Sequence, residues 1–342
     1  MRSPFAPPRL LVTLLALPLI GALGGPVGAA SGSKPPSAGG SIGIRLLEAP
    51  RNRMDDPRAH VFIVDHVNPG TTFTRRLRVN SSSPRRQHVE LYAAAAGIAH
   101  GTFTFAPGRT ANDLTSWIRL DRSAVDLPPY GEAEVKATIA VPGRATKGER
   151  YAVIWAQVSS GQPNAKRNVA LVNRVGVRAY LDVGPGGDPP SEFRVGDVIP
   201  QRTEDGSPVI TAAVRNTGRR ALDMDGRLSL SDGPGGVRAG PFRVASGTTL
   251  APGDEGTVSV LLDDRLPDGP WKFQFTLQSG RVKHTVTGTL TFPDESGGRG
   301  APAATDSPLT TVVGLVAGVT LLGVLILAVV VFTRRRRRAV PY

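Results

Sequence analysis

The chain has 342 residues, with 41 lysines and arginines against 28 acidic residues, a formal net charge of +13 and no cysteine. The lack of cysteine excludes a disulfide scaffold, thiol catalysis and thiolate metal sites, so the fold must rest on packing alone. Without Arg2, Arg9 and the five arginines near the end, 34 basic residues remain against the 28 acidic ones, an excess of six. No basic cluster outside the tail is dense enough to indicate a polyanion-binding patch.

The N-terminus has the pattern of an export signal. Arg2 and Arg9 precede an apolar stretch from Leu10 to Leu23, and small residues follow it. This order predicts a signal peptide over residues 1–30, with cleavage after Ala29 or Ala30. Residues 31–40, rich in Ser, Gly and Pro, are predicted to be a disordered lead.

Two stretches rich in Gly and Pro divide the remaining exterior part. Residues 184–191 (GPGGDPPS) predict an interdomain linker, and residues 293–308 predict a stalk. The domains are then residues 41–183 and 192–292, each long enough to bury its own core.

Hydrophobic residues in both domains alternate with a period of two. The clearest case is Trp271, Phe273, Phe275 and Leu277, which are separated by polar residues. Alternation of this kind indicates a strand with one face on a core. Turn residues interrupt such runs at short intervals and no amphipathic helix lies between them. We therefore predict an all-β fold of two tandem immunoglobulin-like β-sandwiches.

The C-terminal region has the pattern of a membrane anchor. Leu309 to Phe332 is a run of 24 residues without a charge. A helix of this length is long enough to cross a bilayer, so we predict a transmembrane helix over residues 309–333. The basic tail, residues 334–342, contains Arg334, Arg335, Arg336, Arg337 and Arg338. Basic flanks stay inside, so the pattern predicts a single-pass cell-membrane protein with its domains outside.

Catalytic motifs are not found. The chain has no H-E-x-x-H and no P-loop. His60, Asp65 and His66 are the nearest approach to a ligand cluster, but a strand would hold the two histidines about 20 Å apart. Asp223 and Asp225 are expected in solvated turns. We predict a protein that is not an enzyme and has no cofactor and no metal.

Exposed aromatic residues are the remaining candidates for a binding site. Alternation in the segment Trp117 to Asp121 puts Trp117 and Arg119 on the face opposite Ile118 and Leu120. The same argument turns Tyr92 outward. Two interpretations of Trp117 stay open: it covers the edge of the sandwich, or it forms a ligand platform together with Arg119 and Tyr92.

Several motifs in the first domain resemble those of one known family. They are VNPGTTFTRRLRVNSSS (Val67 to Ser83), ELYAAAA (Glu90 to Ala96) with Gly101 to Phe103, Ser116 to Ile118, LPPYGEAEVKATIAVP (Leu127 to Pro142) and GERYAVIWAQV (Gly148 to Val158). In this order they resemble the peptidoglycan-binding domain of WxL-interacting proteins, cell-surface proteins of Gram-positive bacteria. The resemblance covers about 120 residues of the chain.

The resemblance implies a non-enzymatic wall protein. Its first domain would bind peptidoglycan or another wall polymer, and its second domain would bind a surface protein. The protein would then tether both to the membrane. The alternative is a membrane receptor or accessory subunit, whose Gly314 to Gly318 segment (GxxxG) packs on a membrane partner.

Overall fold

A computed structural model describes residues 41–159, 172–245 and 247–305. This part of the chain consists mainly of β-strands, which confirms the predicted all-β fold. Its one α-helix, α1 (Asp113–Trp117), has 5 residues. Short 3-10 turns occur at Arg51–Arg53, Pro57–His60 and Pro234–Gly236.

Among the described residues, the first sandwich contains ten strands. They are β1 (Ile42–Leu46), β2 (Ile63–Val67), β3 (Thr72–Ser81), β4 (Gln87–Ala99), β5 (Thr102–Phe105), β6 (Ile118–Leu120), β7 (Ala124–Leu127), β8 (Glu132–Ala140), β9 (Gly148–Ser159) and β10 (Val172–Val183). One sheet has the order β1-β3-β8-β6; the other has the order β2-β10-β9-β4-β5, with β7 also paired to β4. Apolar side chains such as Leu77, Ile139 and Ile154 form the core between them.

The second sandwich, as far as the structure describes it, also contains ten strands. They are β11 (Phe193–Arg202), β12 (Pro208–Asn216), β13 (Leu222–Asp223), β14 (Asp225–Ser231), β15 (Ala239–Arg243), β16 (Thr249–Leu250), β17 (Glu255–Leu261), β18 (Trp271–Ser279), β19 (Val282–Leu290) and β20 (Ala304–Thr305). The sheets are β11-β12-β17 and β15-β14-β18-β19-β20, with a small β13-β16 pair beside them. The predicted alternation in β18 is confirmed, since Trp271, Phe273, Phe275 and Leu277 are all buried in one core.

The two sandwiches meet at a buried interface with many ion pairs. Arg220 donates from Nε to Glu149 Oε1 at 2.9 Å, and it also contacts Asp188 in the predicted linker. The side chains of Arg220 and Glu149 are only 3% and 4% exposed. Burial disfavours the charged form of Arg220, but Glu149 and Asp188 outweigh this cost and raise its pKa above the ordinary value. A buried charge of this kind is tolerated because it is paired on several sides.

Asp223 is a second charged centre of this interface. It had been expected in a solvated turn, but its carboxylate accepts from Arg58 Nε at 2.8 Å, Arg178 Nη1 at 3.1 Å and the Tyr180 hydroxyl at 2.8 Å. Burial and the neighbouring Asp223 raise the pKa of Tyr180 well above its ordinary value. The linker and both domains are thus joined by bonds that fix one arrangement of the two sandwiches.

Part of the predicted stalk is folded onto the second sandwich. The segment 298–305, called the strap below, runs along β11: Gly300 donates to Pro200 O at 2.9 Å and Ala303 to Val198 O at 2.8 Å. Its last two described residues form β20, which pairs with β19 at Gly288 and Thr289. The strap therefore covers the edges of both sheets of the second sandwich.

The strap requires a glycine at position 288 of β19, where β20 pairs with that strand. A Cβ on Gly288 would lie 2.1 Å from Ala304 O. We therefore expect Gly288→Ala to displace β20 and to lower the free energy of unfolding by about 1–3 kcal/mol, the usual cost of overpacking. Hydrogen exchange at the Ala303 amide should become faster. Gly143→Ala is the matched control, because nothing lies within 4 Å of its added methyl group; equal exchange in both variants would contradict the prediction.

No helix within the described ranges is both long and apolar enough to cross a bilayer. The predicted single-pass cell-membrane localisation is not retained. The predicted signal peptide with Ala29 and Ala30, and the predicted span 309–333 with the arginines 334–338, lie outside the described residues.

Candidate functional site

The first sandwich has an opening where its chain crosses from one sheet to the other. β6 is the last strand of the four-stranded sheet, and β7, which follows it closely, pairs with β4 of the other sheet. β7 pairs with Gln87 to Glu90 of β4, and β5 pairs with Ala96 to Ala99 of the same strand. Between these two pairings β4 faces a cavity of about 440 Å³, called the open groove below.

The backbone of β4 presents free polar groups to the open groove. Leu91 N–H donates to Ser123 O and Ala95 N–H to Thr110 O, both at 2.8 Å, on the side away from β9. Alternate residues of a strand direct their backbone groups to the same side. The N–H and C=O of Ala93 therefore point between these two contacts, where no described residue bonds to them.

The backbone of β6, in the other sheet, also presents unpaired polar groups to the open groove. Asp121 N–H donates to Lys136 O at 3.0 Å, so Asp121 and Arg119 direct their backbone groups toward β8. Leu120 directs its own N–H and C=O away from β8, and no backbone partner for them is found among the described residues. Two sheet edges with unused hydrogen-bonding groups thus flank one cavity.

The three predicted ligand residues, Tyr92, Trp117 and Arg119, all line the open groove. Trp117 is not in a strand but at the end of α1, because Asn112 and Thr115 form a capping box that starts a helix there. Its ring is half-buried against the first core, and the Arg150 guanidinium lies 4.9 Å from the ring centroid. The residue therefore covers the core and also contributes to the groove wall.

Tyr92 lies on the predicted outer face of its sheet, but it is only 7% exposed. The Arg109 guanidinium lies 4.2 Å from its ring centroid, and its hydroxyl donates to Gln157 Oε1 at 2.6 Å. Its neighbour across the strands, Trp155, is also buried on this face. The ring of Tyr92 therefore offers no open stacking surface to a sugar.

Arg119 is exposed on β6, and no ion pair to it is present among the described residues. The lining also includes Arg122 and the hydroxyls of Ser123 and Thr138, and the described residues contribute no carboxylate or imidazole to it. Sequence reasoning missed Ala93, Arg122 and Ser123. The polar break Asp121 to Ser123 between two short apolar runs was the available signal for a strand that changes sheets.

The histidines and acids considered as metal ligands are used elsewhere. His60 Nε2 is 2.8 Å from Met54 O, and His66 Nδ1 is 2.6 Å from Asp182 Oδ2. Asp65 contacts Arg75 at 2.5 Å, and burial raises the pKa of its carboxyl although Arg75 opposes this. The three side chains do not converge on one site among the described residues.

Comparison with known proteins finds no family model and no curated protein that matches the chain. Among solved structures, it is similar to the chaperone DraB of E. coli, with 11% identity, a TM-score of 0.37, and coverage of 72% of this chain and 98% of that one. It is also similar to the SafB chaperone in complex with the SafA pilin of Salmonella enterica, with 10% identity, a TM-score of 0.37, and coverage of 73% and 96%. Identities and TM-scores this low support no conclusion about the partner or the activity of this protein.

The comparisons correct the resemblance found in the sequence. No family model matches the chain, and several of the similar solved structures are of fimbrial chaperones. The family assignment, the Gram-positive origin, peptidoglycan binding and the tethering of wall to membrane are therefore not retained. The motifs that suggested them are strand and turn sequences, which unrelated sandwiches share because the same backbone geometry selects them.

Proposed function

We propose that the protein is a non-enzymatic binding protein that takes up an extended segment of a protein partner in the open groove. The observation that carries the proposal is the pair of unused backbone edges at Ala93 and Leu120 on opposite sides of one cavity. An extended segment can satisfy such groups by strand addition, in which main-chain hydrogen bonds supply affinity. In this assignment both domains are immunoglobulin-like sandwiches, and the first domain carries the site.

The lining of the groove supports a binding role over a catalytic one. In the part of the chain that the structure describes, it offers hydroxyls and guanidinium groups but no histidine or carboxylate that could act as a general base. Strand addition also explains why the site is a gap in the sheet edge and not an enclosed pocket. We propose that the partner is a protein, since a carbohydrate would not use the spacing of a β ladder.

The proposal is tested with two peptides and the full chain. One is a ten-residue peptide of alternating valine and threonine, and the other is identical but N-methylated at alternate amides. Because the chain has no cysteine, Ser123→Cys provides a single position for a fluorescent label at the groove. We expect the N-methylated peptide to bind at least about tenfold more weakly, since two to three ladder hydrogen bonds of about 0.5–1.5 kcal/mol each are lost.

Amide exchange locates the bound peptide. Residues 91–95 and 118–120 should exchange more slowly when the unmodified peptide is present. The label moved to Ser231, on the second sandwich, is the control and should not respond. Equal affinity of the two peptides, or protection away from both edges, would contradict the proposal.

A further inference from the structure

The arginines around the open groove differ in whether their guanidinium groups already have partners within the protein. Arg109 pairs with Glu90 at 2.7 Å, and Arg150 is held by Gly148 O at 3.0 Å and by Thr146 Oγ1 at 2.6 Å. Arg119 has no acidic partner among the described residues. Arg122 is 3.7 Å from Asp121, with side chains that are 51% and 32% exposed. Arg119, and in part Arg122, thus remain available to a ligand.

The acidic side chains near the groove cancel only part of this charge. Asp121 accepts from the Lys136 amide through Oδ1 at 3.0 Å and lies 3.7 Å from Arg122 through Oδ2, and Asp113 lies 3.5 Å from Arg150. Among the described residues, the lining itself contains Arg119 and Arg122 and no carboxylate. A partner that brings carboxylates would therefore meet complementary charge, while a basic segment would meet Arg119 and the partly paired Arg122.

We infer that the open groove selects an acidic extended segment, with carboxylates two residues apart and an apolar residue between them. This inference rests on the proposed strand addition. Arg119 and Arg122 are three positions apart, at most roughly 10 Å because the chain bends at Asp121, and carboxylates at positions i and i+2 are separated by about 6.6–6.8 Å. The long, flexible arginine side chains span the difference.

The alternation of side chains along a strand determines that the residue between the two carboxylates is apolar. Arg119 projects from the outer face of β6, while its neighbours Ile118 and Leu120 pack toward the core. A segment added beside β6 follows the same alternation, so its intervening side chain faces the apolar side of the gap near Leu91. Valine or another β-branched residue suits that position. Guanidinium groups favour carboxylates because they can form paired, charge-assisted hydrogen bonds.

The test compares three peptides with the full chain and the label at position 123. They share one alternating valine scaffold and carry Glu-Val-Glu, Gln-Val-Gln or Lys-Val-Lys at the centre. We expect the glutamate peptide to bind about tenfold more tightly than the glutamine peptide, as two partly exposed ion pairs of about 0.2–1 kcal/mol each allow. The lysine peptide should bind most weakly.

Charge reversal tests whether the two arginines are responsible. The double variant Arg119→Glu with Arg122→Glu should invert the order, so that the lysine peptide binds best. Arg215→Glu with Arg243→Glu, at exposed positions of the second sandwich, makes the same change in net charge and should keep the original order. All four arginines are exposed, so an unchanged melting temperature confirms that the variants fold.

The outcomes separate the inference from the proposal on which it rests. Equal binding of the glutamate and glutamine peptides overturns the selection for acids and leaves strand addition intact. An equal loss of preference in both double variants also overturns it, because overall charge would then be the cause. If none of the three peptides binds, and the valine-threonine peptide does not bind either, strand addition itself is overturned.

Discussion

Arg220→Met is expected to lower the free energy of unfolding by about 3–5 kcal/mol, because the loss of one partner leaves a buried charge without compensation. The charge left behind is Glu149, whose side chain is only 4% exposed. It would keep its bond from the Ala221 amide at 2.6 Å but lose the guanidinium. Asp188 would keep Arg53.

Urea-induced unfolding measures this effect. Arg219→Met is the matched control, since the neighbouring arginine is exposed and makes no side-chain ion pair among the described residues; its effect should be within about 0.5 kcal/mol. The double replacement Arg220→Met with Glu149→Leu should recover part of the loss, because it removes both charges. An Arg220→Met variant as stable as the control would show that the interface does not depend on this pair.

Trp271→Ala is expected to lower the free energy of unfolding by about 3–5 kcal/mol, the usual range for removing a large buried aromatic side chain. The indole is fully buried in the second core, and its Nε1 donates to Pro267 O at 2.8 Å. It also lies against Gly233, where a Cβ would approach the ring to 2.2 Å. The ring therefore fills a space that the surrounding backbone leaves for it.

Denaturant unfolding of the variant, followed by circular dichroism, measures the loss. Gln274→Ala on the same strand is the control, because it changes an exposed side chain on the opposite face. Trp271→Phe should have an intermediate effect, since it keeps part of the buried area and loses the hydrogen bond. A loss below about 1 kcal/mol for Trp271→Ala would contradict the assigned core, because large-to-small changes in a packed core cost more than this.

The position of the binding groove shows why sequence analysis found some of its residues but not the site. Alternation correctly put Arg119 on the exposed face of its strand, and it put Tyr92 on the outer face of β4. It could not show that Arg109 covers Tyr92, or that Trp117 ends a helix. Both facts depend on a loop and a cap whose geometry is set by contacts distant in sequence.

The charged groups at the domain interface also could not be predicted from the sequence. Asp223 stands in a stretch that has the composition of a surface turn, yet Arg58 and Arg178 from the other domain surround it. The predicted linker contributes Asp188 to the same interface. The segment predicted as a stalk likewise packs along β11, because its backbone can pair with an edge that no other strand covers.

The sequence by itself determined the all-β class and the buried face of strands such as β18, because side chains alternate with a period of two wherever one face of a sheet is buried. Only the tertiary structure decided which strands lie at an edge and which backbone groups stay free. Strand pairing joins residues far apart in the chain, so the local sequence around Ala93 and Leu120 does not indicate how these strands pair. The open groove is a property of that pairing.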